Sequence, residues 1–426
     1  YRVPAVDLRV RAVRSTTPPP MLEPGLAAAV VAFAVEAQLD RLADRLRRRK
    51  QGREYGRFVA DRRAVREGNL LGLEDPLPTG QILLADSPVP TLFGALDAAA
   101  LPDRPDLGPE HAWGVGVGAG ILPFGLGEAV QVPVQAEVRI GGGRLTVSCP
   151  AAEGDEHLQA AAVAVVAQAF GSPAEFLATG AAAGGGSAAS VGPAVQAALD
   201  ALTLPARERI AAPLGMSAQL LRAGDGRLRS FDGVIDAPLT DAMAGDPDRA
   251  TGEYATPATE MLDEDGQGNA FAGFGHAAAR AVVLLAADGR AEVVQVVVVA
   301  DCGRVLDPER ARAAVETSAH AGIRLAMPEA TVRAGAVRVH LLDGPVPKGA
   351  AGLAVGGVVA ALRSAADQAA GGDAEVLPIP GVSWWRPTVT LRPRGAMPPS
   401  YRADGDAEPE AGDPDAVPGS APDGAS

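Results

Sequence analysis

Between Trp113 and Gly120 every second residue is glycine: Trp113-Gly-Val-Gly-Val-Gly-Ala-Gly120. Alternate residues of a strand share one face, so this segment, read as a strand, has a face without side chains. Such a face lets a second backbone approach closely, which is what interior strand glycines usually mark. A phosphate-cradling role fails on spacing, because the run lacks the G-x-G-x-x-G frame and follows no strand.

Around this strand, helices and strands alternate without strict βαβ order. The pattern predicts a mixed α/β (α+β) architecture, mixed sheets with packed helices. Tyr1–Ser15 alternates Val and Leu with Arg and Asp and reads as a half-buried strand, broken by Thr16-Thr17-Pro18-Pro19-Pro20. A helix is expected from about Gly25 to Arg49, its apolar positions being Phe33, Val35, Leu39, Leu42 and Leu46. A second is expected over Thr91–Ala100, and Pro102 to Pro109 reads as a linker and domain boundary. Val130–Ile140 and Arg144–Cys149 form a hairpin about Gly141-Gly142-Gly143. Helices follow over His157–Phe170, near Gly192–Leu202 and, as a separate short element, over Ala206–Ala212. Ala278–Ala286 and Ala291–Ala300, joined at Asp288-Gly289, predict a hairpin with a tight primed turn. Pro308 opens a helix to about Met327, and Ala350–Ala370 is the last helix. Beyond Arg402 there is no base, only Pro, Gly, Ala and other small or acidic residues, and that tail is expected to be disordered.

Composition excludes more than it assigns. A formal net charge of −14 argues against nucleic acid as a partner, since phosphate binding needs clustered positive charge. The basic run from Arg45 to Arg53 reads as a solvated helix end. No apolar stretch approaches the ~20 residues of a membrane span; Leu26–Val35 and Val293–Ala300 read as a core helix and a core strand. Two cysteines, Cys149 and Cys302, cannot hold an iron–sulfur cluster or a four-ligand zinc site. Neither a disulfide framework nor a signal peptide is expected, so a reducing compartment, the cytoplasm, is the expectation. The chain begins at Tyr1 in mid-pattern and reads as part of a longer one. His111, His157, His276, His320 and His340 show no metal-ligand spacing and read as packed or surface residues. Lys50 and Lys348 are the sole lysines.

Five stretches, in order, resemble the molybdopterin-binding large subunit of the xanthine dehydrogenase/aldehyde oxidase family. Tyr1-Arg-Val-Pro-Ala-Val, with Ser15-Thr-Thr-Pro-Pro and Phe33-Ala-Val-Glu-Ala-Gln-Leu-Asp40, is similar to that family's Y-x-V-P-N, T-N-T-P-P and F-A-x-E-S-x-x-D. Leu77-Pro-Thr-Gly-Gln81 resembles its P-T-G-Q turn, and Trp113–Gly120 its glycine-rich strand. Gly266-Gln-Gly268 with Phe274-Gly-His276 resembles T-G-Q-G and F-G-A-H, and Asp301-Cys-Gly-Arg-Val-Leu-Asp-Pro308 resembles H-D-x-G-R-V-L-N-P. The resemblance corresponds to the C-terminal half of such a subunit. It implies the end of a first molybdopterin-binding domain over 1–110, a second over 111–398, and an acidic tail over 399–426. It also implies a molybdopterin cofactor, with iron–sulfur and FAD groups on partner subunits or domains and the N-terminal half of the large subunit lying elsewhere. The activity implied is hydroxylation of a purine, aldehyde or N-heterocycle with water.

Residue by residue, the expected site diverges. The family's catalytic glutamate, in a G-A-K-G-x-G-E frame, corresponds to Val355 in Gly349-Ala-Ala-Gly352-Leu-Ala-Val355. A valine has no proton-accepting atom, so no catalytic residue is assigned. F-R-G-F-G corresponds to Glu23-Pro24-Gly25-Leu26-Ala27, M-G-Q-G to Gly154-Asp155-Glu156-His157, and Q-x-H-G-G to Ala314-Val-Glu316-Thr-Ser318. Carboxylates in the first two would repel an anionic cofactor. Gly25, Ser187, Ser190 and Gly352 remain as candidate cofactor-lining positions. Two functions stand side by side: a molybdenum hydroxylase subunit, or a non-catalytic paralogue that keeps the fold as a scaffold.

Overall fold

In the computed structural model the alternating glycines lie in β1 (His111–Phe124), directly against α8 (Val355–Ala369). A Cβ built on Gly114 would sit 1.9 Å from the Ala365 carbonyl oxygen, and one on Gly116 2.2 Å from the Ala365 amide nitrogen. One on Gly118 would sit 2.7 Å from the Ala361 nitrogen, and one on Gly120 2.9 Å from that of Gly357. No side chain fits between the two backbones. The helix answers with small residues of its own, Gly356, Gly357, Ala360, Ala361, Ser364 and Ala365, all buried. The strand does what its glycine pattern predicts.

The structure describes residues 1–3, 5–7, 9, 26–50, 62–83, 87–108, 110–124, 133–150, 156–179, 188–255, 257–344, 348–349 and 352–370. The expected tail beyond Arg402 lies outside them.

β1 pairs antiparallel with β9 (Gly273–Ala286), which pairs antiparallel with β10 (Ala291–Asp301). β11 (Thr331–Val332) and β12 (Val337–Leu342) both run parallel to β10. α7 (Pro308–Ala326) and α8 bury one face of this sheet against Ala277, Val296, Val298 and Ala300. α3 (Val89–Ala98) covers the other with Val89, Leu92, Phe93 and Leu96 against Ala278, Val297 and Val299. β10 is therefore buried on both faces, which is why Val293–Ala300 reads as a nearly continuous apolar run. Arg280 of β9 donates to the carbonyls of Leu96 and Ala99, both at 2.8 Å, and satisfies the open C-terminal end of α3. Residues on both sides of 102–109 thus share one core.

A second layer holds β4 (Glu175–Ala178), β3 (Arg144–Cys149), β2 (Pro133–Gly141) and β8 (Arg249–Ala255), in that order. α4 (Glu156–Phe170) and α5 (Ala188–Ala211) bury it. Here too a glycine admits a helix, since a Cβ on Gly252 would lie 2.1 Å from the Ala198 nitrogen. A small sheet of β5 (Leu221–Gly224), β6 (Arg227–Ser230) and β7 (Asp236–Pro238) precedes the short α6 (Leu239–Ala242). α1 (Leu26–Lys50) and α2 (Arg62–Glu67) are the remaining α-helices of the described residues.

Four local expectations need correction. The described residues among 1–9 form no strand. α5 is one helix rather than two: Leu199, Leu202 and Ala206 are buried at helical spacing, and their packing offsets the interior Pro205. The β9–β10 connection is a three-residue loop, because Gly289 has φ +85° while Asp288 stays out of the left-handed region that a primed turn requires. The last helix begins at Val355, five residues later than expected. By contrast, α7 starts at Pro308, with the Asp307 side chain capping the Arg310 nitrogen at 3.0 Å.

Gly116→Ala should abolish or severely weaken cooperative unfolding. Gly94→Ala in α3, where an added methyl meets nothing within 4 Å, should stabilise the fold by about 0.5–1 kcal/mol. Thermal melts of the two variants check this.

Candidate functional site

The stretches that carry the resemblance meet one another in pairs. The first pair joins Tyr1 to the Phe33–Asp40 segment of α1. Tyr1 donates its hydroxyl to Glu36 Oε1, and Glu36 Oε2 accepts from Arg66 Nε at 2.7 Å and the Ala119 amide at 3.3 Å. Asp40 stands 2.7 Å from Arg66, whose side chain is 0% exposed. One turn away, Arg62 bridges Asp44 at 2.7 Å and Asp367 at 2.6 Å and donates to Ser364 Oγ at 3.0 Å. α1, α2, α8 and β1 are thus tied by one buried ionic network. Burial disfavours the charged Arg62, but hydrogen bonding to Asp44 and the charge of Asp40 outweigh it and hold the guanidinium above its usual range. Arg66 is held up in the same way by Glu36 and Asp40.

This network overturns the expected face of α1. Glu36, Asp40 and Ala43 point inward, while Val30, Val31, Val35 and Leu42 are exposed. Phe33 is half-buried beneath the Arg363 guanidinium, 5.6 Å from its ring centre. Carboxylates at 36, 40 and 44 share one helix face, and the cations that draw them inward come from a later segment. Arg66→Met would leave buried Glu36 without its counter-charge and Asp40 with Arg62 alone, and should cost roughly 3–5 kcal/mol. Arg290→Met, at an exposed pair with Asp288, should cost less than about 1 kcal/mol in the same denaturant titration.

The second pair joins Leu77–Gln81 to Gly266–Phe271. Gln81 Nε2 donates to the Phe271 carbonyl at 2.7 Å, Gln267 Nε2 to the Pro78 carbonyl at 3.1 Å, and the Gly268 amide to the Thr79 carbonyl at 2.8 Å. Both glutamine-bearing turns spend these side chains holding each other.

The third pair is the most chemically loaded. His276 and Asp301 are register partners at the ends of β9 and β10. Lys348 Nζ donates to Asp301 Oδ2 at 2.5 Å, the Gly303 amide to Asp301 Oδ1 at 3.1 Å, and the Lys348 amide to the Cys302 carbonyl at 2.9 Å. This strap leads through Gly349 and Gly352, both with left-handed φ, to the first turn of α8, which has no side-chain cap. His276 is buried, and its Nδ1 has no hydrogen-bond partner among the described residues. Burial pulls its imidazole down to about 4; the Lys348 charge adds to this and Asp301 opposes it. The Cys302 thiol is pushed up to about 12 by burial and Asp301, so it is no thiolate nucleophile.

Val355 begins α8 and is fully buried in the main core. Ser190 is buried in the first turn of α5, and Gly352 precedes α8; no hydrogen bond of the described residues joins them. Gly25 and Ser187 lie outside the described residues, as do Glu23, Pro24, Gly154 and Asp155. Ser318 turns its hydroxyl back to the Ala314 carbonyl at 2.7 Å, so its proton serves its own helix. Spacing gave no signal for the His276–Asp301–Lys348 cluster, whose members come from three separate segments.

The profile of the molybdopterin cofactor-binding domain family matches residues 104–340. The chain belongs to that family. A search of curated proteins by sequence finds no match. Among solved structures, the chain is similar to the aldehyde oxidoreductase of Desulfovibrio gigas, with TM-score 0.59 and 21% identity, over 84% of this chain and 40% of that one. It is also similar to CO dehydrogenase from Oligotropha carboxidovorans, with TM-score 0.54 and 14% identity, over 84% and 51%. Quinoline 2-oxidoreductase from Pseudomonas putida 86 gives 0.53 and 15%, over 83% and 51%. These likenesses establish the mixed α/β fold of a molybdopterin-binding subunit, of which the chain spans about half the length or less. No helix of the described residues is long and apolar enough to cross a membrane.

His276 gives the molybdopterin-binding fold a pH signature. Its folded pKa, about 4, lies below its ordinary 6.5, so the unfolded chain takes the proton first. Stability is fully present above pH 6.5 and falls as pH drops from 6.5 towards 4, by roughly 3 kcal/mol for this group. His276→Gln should flatten that part of the stability–pH profile.

Proposed function

We propose that this chain is the later part of the large subunit of a molybdenum hydroxylase-type oxidoreductase. In this reading it supplies the cofactor-facing fold but not the proton-accepting side chain. The family match over residues 104–340 carries the reading. The same reading takes 1–110 as the end of a first molybdopterin-binding domain, 111–398 as the second, and 399–426 as a tail. The rest of the large subunit would come from outside this chain, as would iron–sulfur and FAD groups on partner domains or subunits. The assembly would work in the cytoplasm.

The donors near the start of α8 suit an anionic cofactor. Nδ1 of His276 is buried without a partner among the described residues, Lys348 brings a cation that Asp301 already pairs, and the first turn of α8 has no side-chain cap. Gly352 would let the backbone approach that group, with Gly25, Ser187 and Ser190 as further lining positions. Bound there, a molybdenum centre would supply an acidified water and a two-electron acceptor for a purine, aldehyde or N-heterocycle substrate. Position 355 cannot take the accompanying proton, because a buried valine has no basic atom. A general base must come from another residue or another chain.

The burial of Val355 in the core also favours a second reading, a non-catalytic scaffold. Molybdenum and oxidised-pterin analysis of the full chain, purified with its native partners, separates the two. The first reading expects both in proportion to the chain; a complex with neither leaves the scaffold. Val355→Glu, checked for a cooperative melt, should raise turnover of an aldehyde or purine panel on the first reading and leave it at zero on the second.

A further inference from the structure

A cavity of about 700 Å³ opens between α4, α5 and β5, floored in part by the segment that follows β10. Its size suits a small organic ligand. Part of the wall is apolar, including Val165, Leu199, Leu204 and Leu221. Three arginines line it from three segments: Arg207 of α5, Arg222 of β5, and Arg304 of the Asp301–Pro308 stretch.

The acids in the same wall are already engaged. Asp200 accepts from Arg207 at 3.0 Å and from Gln196 at 3.3 Å, and Asp225 lies 3.5 Å from Arg229. Arg222 and Arg304 have no ion-pair or hydrogen-bond partner among the described residues. Arg207 is committed to Asp200 through Nη2, and its buried Nε bonds to none of the described residues. Arg222 and Arg304 are exposed, so each can offer an anion a charge that no described residue neutralises. In a chain of net charge −14 this concentration of positive charge is local.

We propose that this cavity binds an organic oxyanion, a carboxylate or phosphate monoester on an apolar body. Its acidic end meets Arg222 and Arg304, and its body lies on the leucine wall. The inference does not rest on the molybdopterin reading and holds whether or not the chain carries that cofactor.

Calorimetric titration of the full chain with benzoate, phenyl phosphate, benzyl alcohol and inorganic phosphate tests it. Benzoate or phenyl phosphate should bind at least about tenfold more tightly than benzyl alcohol, as expected of a charge-assisted contact. Whichever of the two binds more tightly identifies the acidic group. Inorganic phosphate should bind more weakly than phenyl phosphate, because it leaves the apolar wall uncovered. Arg304→Gln and Arg222→Gln should each weaken the anion by about fivefold or more, with unchanged thermal midpoints. Equal binding of benzyl alcohol and both anions overturns the proposal. So does equal binding of the two phosphates, or an affinity indifferent to both substitutions.

Discussion

The placement of the large sheet depends on one close approach, the backbone of α8 lying on the glycine face of β1. Side chains usually set the spacing between a helix and a sheet, and here almost none intervene. The reward is a large area of van der Waals contact at short range, a force that is small per atom and large in sum. The constraint is steric, since the four β1 glycines leave room for no methyl group. Because α8 is held this way along its length, its first turn is fixed relative to the ends of β9 and β10. That is how Val355, Lys348, Asp301 and His276 come to share one corner of the fold.

The ionic network among α1, α2 and α8 works differently. Ion pairs with both partners buried recover little net stability, because each charge must first leave water. What they supply is selectivity of arrangement. Arg66 satisfies Glu36 and Asp40 together, and Arg62 reaches Asp40, Asp44, Asp367 and Ser364. A rotated α1 would strand these carboxylates in the interior and is excluded on electrostatic grounds. The segments that liken the chain to molybdenum hydroxylases are in large part such clamps. They preserve a fold and report little about what chemistry remains in it.

Local signals were legible where local physics decides. The alternating glycines announced their backbone contact, Pro308 its helix start, and Gly141–Gly143 a hairpin. The buried face of α1 was not legible, because hydrophobic periodicity assigns Val35 and Leu42 inward and is silent about Arg62 and Arg66. α5 read as two helices because a proline penalty is local and the packing that overrides it is not. Of the candidate site, Val355 and Gly352 could be placed by frame, since both belong to a contiguous motif. The arginines of the cavity were invisible to spacing: Arg207, Arg222 and Arg304 line one cavity only after three segments fold together.

The glycine strand also carries a parity. Its open face is defined by even-numbered positions alone, 114 to 120, while the odd positions hold Trp113, Val115, Val117 and Ala119. A shift by two residues brings Ala112 or Leu122 into one of the four positions, and a shift by one turns the whole odd set towards α8, where nothing larger than hydrogen fits. The strand therefore tolerates no slip of register, and no single-residue insertion or deletion within the contact. A pairing that most sheets set through side-chain hydrophobicity is here enforced by the absence of side chains.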